Sequence, residues 1–233
     1  MKGLVLALAA MAIASGCATV PGPSNPRDPW EVYNRSMYQV NDAIDRTVLK
    51  PAAQSYAEGF PEFVQEGVGN FFNNLGDIGT GLNNLLQGKF VEGASDLARF
   101  VANSVVGIGG LWDVATPMGL EKHEEDFGQT LGWWGVPPGP YFVIPVFGPS
   151  TLRDAPARWV DPSYGYNRQI ADVAVRNFLY GLDIVQTRAG LLKAEKILDE
   201  AALDRYSFTR DAWLQRRRHH VYDGRPPRDP EDE

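Results

Sequence analysis

The run DPWEVYNRSMYQVNDAIDRTVLKP, residues 28–51, decides the fold class. Asp28 is placed to cap a helix, Pro29 to occupy its first position, and Glu31 to bond back to the cap amide. Trp30, Tyr33, Met37, Val40, Ile44 and Val48 then recur every three or four residues, which is one face of a helix. Lys50-Pro51 is expected to end it.

The same period continues toward the carboxy terminus. A second helical stripe begins near Pro61 with Val64, Val68 and Leu75, interrupted by Gly67 and Gly69. Ile78, Leu82 and Leu85 form a brief third stripe before Gly88, and Val91, Ala94, Leu97, Ala98, Val101 and Val105 form a fourth. Short helices in antiparallel pairs, joined at glycine breaks, are the expectation. GIGGLWDVATPMGL at 107–120 fits neither helix nor strand period, and its three early glycines point to a tight hairpin. The prolines of GVPPGPYFVIPVFGPS, 135–150, forbid a regular helix and disfavour a central strand. Ile170, Val173, Ala174 and Phe178 resume the helical stripe, and a basic segment closes the body near Val221. The fold class is all-α, a single domain over residues 28–224, with a polar tail at 225–233 that is expected to lack structure.

Toward the amino terminus, Lys2 precedes an apolar run from Leu4 to Ala14 that ends in small residues. This is the layout of a secretory signal, and it is too short to be a permanent membrane span. Two cleavage sites compete. Ala12-Ile13-Ala14 fits an ordinary small-residue site, and Ala14-Ser15-Gly16-Cys17 resembles a bacterial lipobox. The lipobox is favoured because Cys17, the one cysteine of the chain, stands where a thiol would take lipid. Residues 1–16 are then the signal peptide and 17–27 a lipidated, Pro- and Gly-rich tether. Ala18, in place of aspartate, directs such a lipoprotein to the outer membrane, anchored on its periplasmic side.

Charged residues make up 22 % of the chain and hydrophobic ones 44 %, ordinary values for a folded domain. A formal net charge of −7 argues against nucleic acid and against simple adhesion to an anionic lipid surface. Three histidines with no second cysteine offer no zinc spacing. No GxSxG elbow, phosphate-binding loop or dinucleotide fingerprint is present, so no catalytic residues, metal or cofactor are expected. The acidic run Glu121, Glu124, Glu125, Asp126 reads as a solvated helix start with an exposed His123 beside it. Arg216-Arg217-Arg218-His219-His220 reads equally as a contact for anionic headgroups or as a solvated helix end. Most of the six Trp, nine Tyr and eleven Phe are expected in a core. Trp112, Trp133, Trp134, Tyr141 and Phe142 are candidates for lipid contact, because they lie in irregular segments beside glycine or proline.

These passages resemble the VacJ or MlaA lipoproteins of Gram-negative bacteria. The resemblance rests on residues 28–45, on 107–120, on FGQTLGWWGVPPGPYFVIPVFGPSTLRD at 127–154, and on TRAGLL at 187–192 with the later basic stretch and YDG. It implies a ring-like helical body in the inner leaflet of the outer membrane, apolar on the outside, with an amphipathic channel and a trimeric porin as scaffold. It implies a transporter, not an enzyme, that takes phospholipid from the outer leaflet and passes it to a periplasmic carrier protein. By resemblance, Gly107, Gly109, Gly110, Trp112 and Asp113 form a movable hairpin at the channel, and Asn34, Arg35 and Asn41 are wall or partner contacts. Two rival readings are a lipid-anchored structural protein of the envelope and a periplasmic lipid hydrolase. The second lacks a recognisable base for Ser150 or Ser163.

Overall fold

The computed structural model describes residues 25–161 and 170–227, with backbone only over 197–201. The expected signal segment, Cys17, most of the tether and the end of the tail lie outside the described residues. The helices are α1 (Glu31–Ile44), α2 (Lys50–Gly59), α3 (Glu62–Leu86), α4 (Phe90–Val105), α5 (Phe127–Trp133), α6 (Asp154–Val160), α7 (Val173–Gly190), α8 (Leu192–Ala201) and α9 (Arg205–Val221). Between α5 and α6 lies a two-stranded antiparallel ribbon of β1 (Tyr141–Ile144) and β2 (Gly148–Thr151), with Tyr141 opposite Thr151 and Val143 opposite Pro149. A ribbon of two strands has only edges, so Pro149 has no second ladder to break.

Three local expectations are corrected. Asp28 does not cap α1, which starts after Trp30 without a side-chain cap. It is buried, and it accepts hydrogen bonds from Asn34 Nδ2 (2.7 Å), Tyr206 Oη (2.5 Å) and Arg210 Nη1 (3.1 Å). Pro51 does not end the first helix either. A π-helical turn over Asp45–Leu49 widens the ladder just ahead of Pro51, and α2 continues directly with the proline in its first turn. Third, the second and third expected helices are one helix of 25 residues, α3, despite its internal glycines.

Close packing compensates for those glycines. A Cβ on Gly81 would lie 3.1 Å from the Gly93 carbonyl oxygen, and one on Gly69 would lie 2.7 Å from the side-chain Nε2 of Gln186 on α7. Small residues therefore let α4 and α7 approach α3, and tertiary contact offsets the weak helix propensity. Gly88, at φ 81°, is the true break and reverses the chain into α4.

The distribution of polarity is inverted. The buried residues of α4 are Gly93, Asp96, Arg99 and Asn103, while Val91 (79 %) and Val105 (76 %) of its apolar stripe are exposed. α1 buries Asn34 and exposes Tyr33 and Val40, and Trp30 just ahead of it is exposed too. α7 buries no side chain and presents Phe178 outward. Many aromatics expected in a core are therefore on the surface, Phe63 (72 %) and Trp159 (74 %) among them. Among the described residues a small apolar cluster of Tyr141, Val143 and Tyr206, flanked by Met37, Tyr38, Trp213 and Leu214, forms where the ribbon meets α1 and α9. Tyr141, a candidate for lipid contact, belongs to this cluster and is buried, whereas Trp112, Trp133 and Trp134 are exposed. Among the described residues no helix is long and apolar enough to cross a membrane.

Hydrogen bonds hold the polar interior. Asn84 Nδ2 donates to Asp96 (2.7 Å), whose other oxygen is 2.9 Å from His123 Nδ1. Lys122 and Arg99 both approach the buried Asp77, at 2.5 and 3.6 Å. His123 is thus a partner of the interior and not a solvated neighbour of the acidic run.

Candidate functional site

A cavity of about 420 Å³ opens between α3, the 122–126 segment, α5, α6 and α9. Its wall is mostly polar, because the faces that these elements turn inward are their charged ones. Asp126 caps α5 by accepting from the Gln129 amide (2.9 Å), and its carboxylate also meets Arg217 Nη2 at 2.7 Å. Arg217 reaches Asp154 with Nη2 (2.9 Å) and Nε (3.1 Å). Burial pushes the pKa of both aspartates up, but the Arg217 hydrogen bonds and charge outweigh it and hold both below the ordinary carboxylate value. Asp126, the end of the acidic run, is therefore a helix start, as expected, but one turned inward, while Glu121 and Glu124 are exposed. Glu125 likewise accepts from Gln87 (2.7 Å) and Lys89 (3.1 Å), and burial raises its pKa.

The basic run divides residue by residue. Arg217 points inward to the two aspartates. His220 lines the same cavity, where burial lowers its pKa, with Glu124 opposing and Arg216 and Arg217 reinforcing. Arg216 also lines the cavity, and neither a hydrogen bond nor an ion pair joins it to any described residue. Arg158, on α6, spends its guanidinium on the carbonyl oxygens of Phe147 and Pro149, both at 3.2 Å. It is open to the cavity yet crowded enough that desolvation lowers its pKa.

A second cavity, about 570 Å³, adjoins the first and shares Trp213 and Arg216 with it. Tyr38, Val143, Pro149, Leu191 and Ala194 make much of its wall apolar. Apart from Arg216, the charges at its edge are matched: Arg188 bonds Asp45 (2.7 Å) and Glu195 (2.6 Å), and Lys50 bonds Glu195 (2.9 Å).

The expected hairpin residues do not line these cavities. Gly109 and Gly110 have φ of 69° and 91°, and Ile108 joins them at 53°. The base of the turn is fixed by Asn103, whose side-chain oxygen accepts from the Val114 (2.8 Å) and Ala115 (3.0 Å) amides while its nitrogen donates to Asp113 (3.1 Å). Asp113 also accepts from Arg99 (3.0 Å) and the Thr116 amide (3.1 Å). Burial raises the Asp113 pKa less than these bonds lower it, so its carboxyl stays well below the usual range. Trp112 and Ile108 face outward.

Of the expected wall residues, Asn34 is buried between α1 and the ribbon, donating to the Tyr141 carbonyl (3.1 Å) and accepting from the Val143 amide (2.8 Å). Asn41 does the same at the far end of β1, bonding the Ile144 carbonyl (3.0 Å) and the Val146 amide (2.7 Å), and it lines the apolar cavity. Arg35 pairs with Glu31 and Asp204, both at 2.7 Å, over the Tyr206 ring. Ser150 is fully buried and donates to the Thr151 carbonyl, and Ser163 lies outside the described residues. Arg153, Asp154 and Arg158 escaped the sequence reading. Their only signal was their charge, isolated at the carboxy-terminal edge of the proline-broken apolar passage.

Residues 26–220 match the family model of the MlaA lipoprotein. The intermembrane phospholipid transport system lipoproteins MlaA of Shigella flexneri and of Escherichia coli K12 are each 33 % identical over 221 residues, 91 % of this chain and 87 % of theirs. The MlaA lipoprotein of Haemophilus influenzae is 31 % identical over 231 residues, 96 % of this chain and 92 % of its own. A solved structure described as the structural basis for maintenance of bacterial outer membrane lipid asymmetry superposes with a TM-score of 0.73 at 31 % identity. It covers 85 % of this chain and 99 % of that one.

Proposed function

The chain belongs to the MlaA lipoprotein family, and from that premise we propose that it works in intermembrane phospholipid transport, removing stray phospholipid from the outer leaflet and so maintaining the lipid asymmetry of the outer membrane. The observation that carries this reading is the inverted polarity: apolar stripes of α1, α4 and α7 outside, carboxylates, guanidinia and amides inside. A headgroup crossing a bilayer needs polar partners, because a bare charge in hydrocarbon is costly, whereas its acyl chains need an apolar surface. A body that rests its outer face in acyl chains and turns polar side chains inward supplies both.

In the finer reading, Cys17 carries the lipid anchor on the periplasmic side of the outer membrane, a trimeric porin holds the body, and a soluble periplasmic protein receives the lipid. The chain hydrolyses nothing itself. The hairpin is the movable element, pivoting on the base that Asn103 and Asp113 clamp, with Ile108 and Gly109 at its tip. Asn34, Arg35 and Asn41 act as wall residues that fix the ribbon and α9 against α1.

Cells lacking the gene should accumulate phospholipid accessible to external phospholipase, and a plasmid copy should reverse this. Unchanged surface phospholipid would refute the transport reading. A form beginning at Thr19, without the anchor, should still bind liposomes, and its remaining monodisperse without detergent and ignoring liposomes would refute the membrane-embedded body.

A further inference from the structure

Arg216 stands on α9 where the polar cavity, the apolar cavity and a third recess of about 430 Å³ beside Gln215 and His219 meet. The other cations of the polar cavity have anionic partners: Lys122 has Asp77, and Arg217 has Asp126 and Asp154. Arg216 has no carboxylate among the described residues, and Arg158 hydrogen-bonds only carbonyl oxygens, with the charges of Asp126 and Asp154 reaching it through space. Guanidinia left this way in one cavity suit the oxygens of a phosphate, which they bind by charge-assisted and often bidentate hydrogen bonds. Trp213 and Arg216 belong to both cavities, so an occupant reaching across them meets cations at one end and an apolar wall at the other.

We propose that Arg216, supported by Arg158, binds the phosphodiester of a glycerophospholipid whose acyl chains lie toward the cavity of Tyr38, Val143, Leu191 and Trp213. The proposal rests on the transport reading above and adds to it the place where the headgroup is held. Arg216 is exposed and holds nothing else in place, so neutralising it leaves the fold intact. Arg158 ties α6 to the β1–β2 turn, and its loss disturbs both.

The test is calorimetric titration of the full lipidated protein in an uncharged detergent. The probes are dihexanoyl phosphatidylglycerol, dihexanoylglycerol without phosphate, and inorganic phosphate. Arg216→Gln should weaken the phospholipid about ten-fold or more, the scale of a lost charge-assisted bond, and leave dihexanoylglycerol unchanged. Arg216→Lys should fall between, and Arg225→Gln, a cation beyond α9, should match the wild type. Wild-type affinity for phospholipid in Arg216→Gln overturns the subsite and leaves transport standing. Binding of inorganic phosphate with no affinity for phospholipid assigns the site to a soluble anion and overturns the lipid. A wild type that binds none of the probes removes both the subsite and the transport reading beneath it.

Discussion

Gly81 of α3 and Gly93 of α4 occupy each other's missing side chains: a Cβ on Gly93 would lie 2.9 Å from the Gly81 carbonyl oxygen, and one on Gly81 would lie 3.1 Å from that of Gly93. Backbone cannot swing aside as a side-chain tip can. Gly93→Ala should therefore separate the two helices and cost about 1–3 kcal/mol, as overpacking of a tight interface does. Gly76, on α3 with open space at its Cβ, provides the contrast. Gly76→Ala should stabilise by about 0.5–1 kcal/mol through helix propensity alone. Thermal unfolding in detergent, monitored by circular dichroism, should move Tm in opposite directions for the two.

Asn103 should be the least replaceable polar side chain of the hairpin. Asn103→Ala leaves the Val114 and Ala115 amides without their acceptor, while the Asp113 oxygen keeps the Thr116 amide, at about 1–3 kcal/mol for each buried group left unpaired. Loss of protein level and faster protease cleavage between α4 and α5 are expected. A variant as stable as wild type would show that water replaces the amide at no cost.

Arg217 should govern acid stability. Asp126 and Asp154 have folded pKa values below their ordinary 3.8, so the unfolded chain binds more protons than the folded one as pH falls through that value. Their contribution is complete above about pH 4 and is lost progressively below it. Glu125 and Asp77, raised by burial, act in the opposite sense and gain their protons first, so the decline should begin only after they have titrated. Arg217→Gln leaves Asp126 without its cation and Asp154 with Arg153 alone, and should cost about 1–3 kcal/mol near neutrality. It should also flatten the acid decline, read as Tm against pH from 3 to 7. An acid limb as steep in the variant as in the wild type would assign the decline to other groups.

The hairpin tip separates motion from mere shape. At Gly109 a Cβ meets nothing within 4 Å, whereas at Gly110 it meets Asn74 Nδ2 at 2.6 Å. Both glycines have positive φ, so an alanine costs roughly 1–2 kcal/mol of strain at either. Gly110→Ala adds a clash and should lower protein abundance. Gly109→Ala should leave abundance normal and, with a movable tip, raise surface-exposed phospholipid. Unchanged leaflet composition at normal abundance would dispose of the moving hairpin.

Much of the helical layout was legible. Asp126 as a helix start and Gly88 as a helix break read correctly because capping and helix breaking are properties of a few adjacent residues, whereas Pro51 did not end its helix. The long α3 was not legible, since Gly69 and Gly81 weaken a helix locally and strengthen it only where α4 and α7 come close enough to use them. Asp28 fits a cap pattern with Pro29 and Glu31, but its strongest partners, Tyr206 and Arg210, stand about 180 positions away in sequence. The basic run was visible as a run. That Arg217 is clasped and Arg216 open depends on which way α9 is turned against α5 and α6.

Periodicity by itself established that these segments are helices with one apolar face, because the 3.6-residue turn is imposed by backbone geometry and holds in any solvent. Which side of each helix faces the interior lay beyond it. The hydrophobic effect sends an apolar stripe inward when water is outside, and gives no such direction when the surroundings are themselves hydrocarbon. Only the packed structure, with Asp96, Arg99 and Asn103 buried and Val91, Val101 and Val105 exposed, decided that here the charged faces meet one another and the apolar ones face out.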